Sequence, residues 1–247
     1  MKTSGNTILV TGGGSGIGLA LAQRWHDAGN KVIVTGRNAA KLDAAIAGRP
    51  NMSAMSLDVT DAGAIAAFAK EIVAKHPDLN ILVNNAGIMS AEDASAKRDL
   101  AHAETTVVTN ILGPIRLIDA LVDHLAAQAD SAIVNVTSGL AFVPFPKAPT
   151  YSATKAAMHS YSVALRVQLE GQVEVIELAP PAVRTELTPG QSTREHYMPL
   201  DDFADEVMAL FAREPTPEEI LVQNVLPLRT AEANGTVPQM LAMLKSL

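Results

Sequence analysis

Between Thr11 and Gly18 the chain reads TGGGSGIG. Glycines permit a tight turn and let the main chain approach a pyrophosphate, and the free N–H groups at the start of a following helix bind the anion. The spacing is T-G-x-x-x-G-x-G, built on Gly12, Gly16 and Gly18 with Ser15 and Ile17 between them. A strict G-x-G-x-x-G pattern fails, because position 17 is Ile. A loop that merely turns the chain is the plain alternative; a strand before the glycines and a helix after them argue against it. At the end of the second predicted strand stand Gly36 and Arg37. A dinucleotide site commonly carries a carboxylate there, for the ribose 2′-hydroxyl. Here no carboxylate would repel a 2′-phosphate, and a guanidinium can pair with one through two parallel hydrogen bonds. The residues therefore predict NADP(H) as the preferred cofactor, with NAD(H) as the alternative.

Such groups need strand ends to hold them. Asn6–Thr11, Lys31–Thr35, Met52–Leu57, Asn80–Gly87, Ser131–Thr137, Val173–Ala179 and Ile220–Leu226 read as strands or contain one. Most are nearly continuous apolar runs, the pattern of a parallel sheet covered on both faces. Between and after them, Ile17–Ala28, Ala39–Ala47, Asp61–Lys75, Tyr151–Glu170, Asp201–Arg213 and Pro238–Leu247 read as helices. Strand–helix alternation on this spacing is the mark of βαβ units with right-handed crossovers. The expected fold class is α/β, one Rossmann-type doubly wound domain over residues 1–247, without repeat or linker.

Composition removes other chemistries. Lys plus Arg is 19 and Asp plus Glu 26, a net charge of −7, which argues against non-specific nucleic-acid binding. The chain has no Cys, which excludes disulfides, zinc thiolates, iron–sulfur clusters and a thiol nucleophile. No two of His26, His76, His102, His124, His159 and His196 are four apart, so no metal is expected. A hydrolase elbow G-x-S-x-G would need Gly at position 17. The longest unbroken apolar runs, Ala64–Ala69 and Val207–Ala212, are far short of the roughly 18 residues of a membrane span. A cytoplasmic protein with no membrane partner is expected.

Further motifs follow in order: LDVT (Leu57–Thr60), NNAG (Asn84–Gly87), Thr109-Asn110, Ser138 and YSATK (Tyr151–Lys155). Together with TGGGSGIG, they make the chain resemble the short-chain dehydrogenase/reductase family in its one-domain form, over about residues 6–190. The resemblance implies seven parallel strands in the order 3-2-1-4-5-6-7. It implies a catalytic set of Asn110, Ser138, Tyr151 and Lys155. It implies cofactor contacts from Gly12, Ser15, Gly16, Ile17, Gly18, Arg37, Asp58, Val59, Asn85, Ala86 and Gly87, from Tyr151 and Lys155, and from Pro181, Val183 and Thr185. Asp58 would meet the adenine ring, with Val59 packed near it, and the NNAG motif would line the adenosine ribose. Tyr151 would be the general acid/base, Ser138 would hold the substrate oxygen, and Asn110 would anchor a water linking Lys155 to solvent. Free tyrosine has a pKa near 10. Lys155 lies four residues on, so the two side chains share a helix face, and its ammonium would favour the phenolate.

The chain also departs from the family pattern. Pro180-Pro181 stands where Pro-Gly is usual, and no D-G-G-like turn follows the last predicted strand. The C-terminal arrangement resembles that of the D-alanyl-lipoteichoic-acid-type oxidoreductases, which implies no substrate. Residues of about 186–200 would form a substrate lid. Met89, Leu140, Phe142, Phe145, Tyr197 and Met198 predict an apolar pocket for a hydrophobic ketone, aldehyde or secondary alcohol. His196 and Arg194 could instead meet an acid group. The resemblance implies that helices around 100–126 and 151–170 pack across a two-fold axis, so a homodimer or larger is expected. The alternative to an enzyme is a non-catalytic NADP(H)-sensing regulator with the same fold; such a sensor would have no need of Tyr151.

Overall fold

Residues 1–246 are described by a computed structural model; Leu247, the last residue of the predicted tail helix, lies outside them. The strands are β1 (Thr7–Thr11), β2 (Lys31–Gly36), β3 (Met52–Ser56), β4 (Ile81–Asn84), β5 (Ala132–Val136), β6 (Glu174–Leu178) and β7 (Glu219–Ile220). They form one parallel sheet in the order β3-β2-β1-β4-β5-β6-β7, as the motif order implied.

The strand side chains divide between the two faces with period two. Ile8 and Val10 of β1 join Val32, Val34, Ile81, Val83, Val134 and Ile176 in one core cluster. Leu9, Ile33, Leu82, Ile133 and Val175 belong to the other. The first face is covered by α1 (Gly16–Asp27), α2 (Ala39–Ile46) and α7 (Leu200–Phe211). The second is covered by α3 (Ala62–Lys75), α5 (Gly113–Ala126) and α6 (Pro149–Gln168). Asp61 starts α3 by accepting from Gly63 N at 2.8 Å and Ala64 N at 3.0 Å, satisfying helix-end donors that otherwise lack partners. Strand order reverses between β1 and β4, and the loops leaving their carboxyl ends bound the crevice where such sheets bind ligands.

Between β4 and α5 the chain forms α4 (Ala101–Val107), then a π-helical turn over Val108–Leu112, in one helical run Ala101–Ala126. By length and composition that run is apolar enough to cross a membrane, although none of its continuously apolar stretches exceeds three residues. In the fold it is a core helix, with Leu117, Ile118, Leu121 and Leu125 buried against the sheet.

The last predicted strand, Ile220–Leu226, is corrected. Only Glu219–Ile220 pairs with β6; Gln223–Val225 is a 3-10 turn and α8 (Leu226–Arg229) follows. Pro227 has no N–H to give a ladder and its fixed φ suits a helix's first turn. The apolar residues misread as strand, Val222 and Val225, fill the first core from the turn instead. The tail helix α9 (Val237–Ser246) folds back so that Leu244 packs with Val143 and Ala231, flanked by Leu140, Phe145, Leu228 and Met240.

Trp25 of α1 and Phe211 of α7 are fully or almost fully buried and meet edge to face, with ring centroids 5.7 Å apart. Phe211→Ala should lower unfolding free energy by about 3–5 kcal/mol in a denaturant titration, because a cavity replaces the ring between two helices.

Candidate active site

Thr11 ends β1 and ties it to the loop after β4. Its hydroxyl accepts from Asn85 N at 3.0 Å and Ala86 N at 3.1 Å and donates to Val83 O at 3.2 Å. In return Asn85 Nδ2 donates to Thr11 O at 2.9 Å and Gly12 O at 3.3 Å. The approach leaves no room for side chains. A Cβ on Gly12 would stand 2.9 Å from Ala86 Cα, and one on Gly18 would stand 2.7 Å from Gly12 O. Gly12 is also at φ +66°, a region that costs other residues dearly.

The first hydrogen bond of α1 runs from Leu19 N to Ser15 O. The N–H groups of Gly16, Ile17 and Gly18 therefore have no acceptor within the helix, and its first turn carries no acidic residue. Those donors, at the positive end of the helix dipole, fit an anion such as a pyrophosphate. Arg37 is exposed, beyond the end of β2, and has no ion pair or hydrogen bond among the described residues. Asp58 accepts from Thr60 N at 2.9 Å and from its hydroxyl at 2.7 Å. These bonds, with the nearby Arg37 charge, hold the Asp58 carboxyl below the usual range. Val59 is buried beside it in the second core cluster. After β6, Pro180 O accepts from Gly139 N at 2.8 Å, so the Pro-Pro segment still follows the strand ends. Pro181 is half-buried, Val183 is buried in the first core cluster, and the Thr185 side chain lies against Gly16.

Asn110 sits in the π-helical turn and braces two segments. Its Oδ1 accepts from Ile88 N at 2.9 Å; its Nδ2 donates to Ile88 O at 2.9 Å and Thr154 Oγ1 at 3.2 Å. A Cβ placed on Gly87 would be 3.4 Å from Asn110 Oδ1 and 3.7 Å from Lys155 Nζ, so these groups converge on one spot. The end of β5 faces α6. Val136 O accepts from Lys155 Nζ at 2.8 Å, and Ser138 stands beside the Tyr151 hydroxyl. Burial pushes the Tyr151 phenol up to about 12, only partly opposed by Ser138. Burial also pulls the Lys155 ammonium down to about 8, opposed by the charge of Glu177. The Lys155 Nζ lies 5.5 Å from the Tyr151 ring centroid. The expected lowering of the phenol by Lys155 is absent here: Nζ is turned to the Val136 carbonyl, desolvation raises the phenol, and Ser138 alone opposes it.

The family model for short chain dehydrogenases matches residues 6–196. The chain is 44% identical over 189 residues to the uncharacterized oxidoreductase DltE of Bacillus subtilis (strain 168), covering 76% of this chain and 75% of that one. The chain belongs to the short-chain dehydrogenase family. It is an oxidoreductase of the kind that interconverts CH–OH and C=O groups with a nicotinamide cofactor. The crystal structure of a short-chain dehydrogenase from Streptomyces avermitilis superposes with a TM-score of 0.83 at 26% identity, covering 100% of this chain and 98% of that chain. A closed form of serine dehydrogenase complexed with NADP+ superposes at 0.77 and 26% identity, covering 87% and 92%.

The six pocket candidates of this enzyme have different surroundings. Leu140 and Phe145 pack on the tail cluster, and Met198 joins the first core and bridges to Val183. Phe142 lies edge-on to His159, at 5.0 Å, under the Arg229 guanidinium. Met89 and Tyr197 are half-buried, and Arg194 donates to the Tyr197 hydroxyl at 2.8 Å. The segment around them closes at its neck: Arg184 N donates to Met198 O and Met198 N to Ala182 O, both at 2.9 Å.

Two acidic residues escaped the sequence reading. Glu92 accepts from Thr150 N at 3.0 Å and from its hydroxyl at 2.7 Å, capping α6 from a distant loop, with Arg98 at 2.8 Å balancing the charge. Nothing in its local sequence announces this. Glu177 is fully buried in β6, and a carboxylate inside the run VEVIELA was a readable signal. His159, Glu177 and Glu219 also come within ligand reach of one another, but Glu219 already holds Arg229 with two bonds of 2.8 and 3.0 Å.

In the cofactor-free protein the tyrosinate absorbance that distinguishes the wild type from Tyr151→Phe should appear near pH 12. A difference signal rising near the free-tyrosine value of about 10 would contradict the burial of that phenol.

Proposed function

We propose that this enzyme is an NADP(H)-preferring oxidoreductase that interconverts a carbonyl and a hydroxyl group, with Tyr151 as general acid/base. The observation that carries this reading is the meeting of Ser138, Tyr151 and Lys155 at the carboxyl end of β5, beside the glycine loop. A bound nicotinamide cofactor supplies or accepts the hydride. The N–H groups of Gly16, Ile17 and Gly18, with Gly12 and Ser15, would hold its pyrophosphate, and Arg37 a 2′-phosphate. Asp58 and Val59 would flank the adenine, Asn85, Ala86 and Gly87 its ribose, and Pro181, Val183 and Thr185 the carboxamide side.

Ser138 would hold the substrate oxygen while Tyr151 gives it a proton during reduction. A buried neutral phenol is already in the right state for that direction. For oxidation the phenolate must be reached, and the Lys155 ammonium lowers that barrier when turned toward the phenol and the ribose. Asn110 keeps one Oδ1 lone pair free of protein donors, enough for a water in a proton relay.

A hydrophobic ketone, aldehyde or secondary alcohol fits Met89 and Tyr197. A substrate bearing an acid group is the second reading, favoured by Arg194 beside Tyr197. NADPH consumption should be measured over a panel of both carbonyl classes, with NADH in parallel. Turnover with NADPH at higher kcat/KM than with NADH supports the proposal, and Arg37→Ala should erase the difference. Tyr151→Phe should lower kcat at least about 100-fold while leaving NADPH binding near wild type. Turnover retained in that variant would overturn the role of Tyr151.

We further propose a homodimer through the outer faces of α4, α5 and α6. Leu100, just before α4, and Val107 and Leu112 of the helical run are exposed, as are Val163 and Val167 on α6, with Val167 72% exposed. These exposed apolar side chains support an interface there. Val167→Glu should shift the mass measured by light scattering from dimer toward monomer.

A further inference from the structure

Glu177 has no part in the chemistry above, yet a fully buried carboxylate needs a reason. It lies in register with Asn135 of β5 and Glu219 of β7, one strand from the reacting groups. Both of its oxygens are used. Oε1 accepts from the Thr137 hydroxyl at 2.6 Å, and Oε2 meets His159 Nδ1 at 2.7 Å. A carboxylate only accepts, so that ring nitrogen is the donor.

The partners place Glu177 against the site from two sides. Thr137 directly precedes Ser138 and follows Val136, whose carbonyl holds Lys155. His159 lies one turn beyond Lys155, as Lys155 lies one turn beyond Tyr151, so the three share one face of α6. The charged and titratable groups around Glu177 are Lys155 and His159 from α6, Glu219 from β7 and Arg229 from α8. Arg229 is committed to Glu219 by its two bonds. Lys155 is buried, and its Nζ bonds a neutral carbonyl and, among the described residues, no carboxylate. Glu177 is held next to it by the Thr137 hydroxyl, one residue after the carbonyl that Lys155 bonds, and by His159, one turn along α6, and its charge opposes the effect of burial on the ammonium.

We propose that Glu177 is a positioning residue for the reaction: its carboxylate supplies the counter-charge for the Lys155 ammonium and, through Thr137, fixes the strand end that carries Ser138. The catalytic consequence rests on the oxidoreductase reading above; the electrostatic claim does not. Without the carboxylate, burial acts on Lys155 unopposed and its ammonium is lost at lower pH. The alkaline limb of the kcat/KM profile then moves toward neutrality.

The test is a pH titration of the Lys155 side-chain carbon resonance by NMR in the cofactor-free protein, beside the pH profile of kcat/KM. The wild-type midpoint should lie near 8. Glu177→Gln should lower it by about one unit and shift the alkaline limb the same way. Thr137→Val, which removes the hydroxyl but no charge, should lower kcat with the midpoint in place. Should the amide variant fail to fold, Glu177→Asp withdraws the carboxylate by one methylene and should give a smaller shift of the same sign. A midpoint unmoved in whichever Glu177 variant folds overturns the proposal, as does an equal shift in Thr137→Val. If the wild type turns over no carbonyl, the oxidoreductase reading falls while the titration still decides the role of Glu177.

Discussion

The clasp between Thr11 and Asn85 is the constraint on which the site depends. It joins the carboxyl ends of β1 and β4, the two strands between which the sheet order reverses. Leaving any one of its buried groups unpaired would cost about 1–3 kcal/mol. The clasp forces the main chain of Gly12 against Ala86, which only glycine allows. It thereby sets where α1 begins and where its unpaired N–H groups point. The loop from β4 to Asn110, and with it the Gly87 corner beside Lys155, hangs from the same junction.

On the other side of the crevice, the organising element is α6. One face carries Tyr151, Lys155 and His159 toward the sheet, so a phenol and an ammonium are drawn out of water while the imidazole stays half-buried. That burial raises one pKa and lowers another, and nearby groups offset part of each effect: Ser138 for the phenol, Glu177 for the ammonium. The start of the helix is held from afar by Glu92 on Thr150. Its middle is linked to the sheet by the chain Asn84 to Asn135 to Ser162, at 2.9 and 3.0 Å. Both restraints act on the helix that carries Tyr151 and Lys155, and neither touches those side chains.

Much of this was legible in the residues. Apolar runs and glycine stops gave the strands and helices, because a doubly covered sheet must bury both faces of each strand. The motif order TGGGSGIG, NNAG, Ser138 and YSATK carried the strand order through family resemblance. The misread stretch was Ile220–Leu226, where residues that look like a buried strand fill the core from a turn. Local pattern cannot separate the two, since both bury Val222 and Val225 equally. Residue type alone likewise does not separate pocket from core: Leu140 and Phe145 pack on the tail cluster and Met198 joins the first core, with side chains whose chemistry suits either place.

The sequence by itself determined most of the elements and the glycine-rich loop, because these rest on local periodicity and on residue types at short spacing; the candidate reacting groups came through the family resemblance. Only the tertiary structure decided the electrostatics around them. Glu177 and Lys155 are 22 positions apart, and Glu92 and Thr150 are 58 apart. Whether such charges are exposed and weak or buried and decisive depends on which strands and helices enclose them.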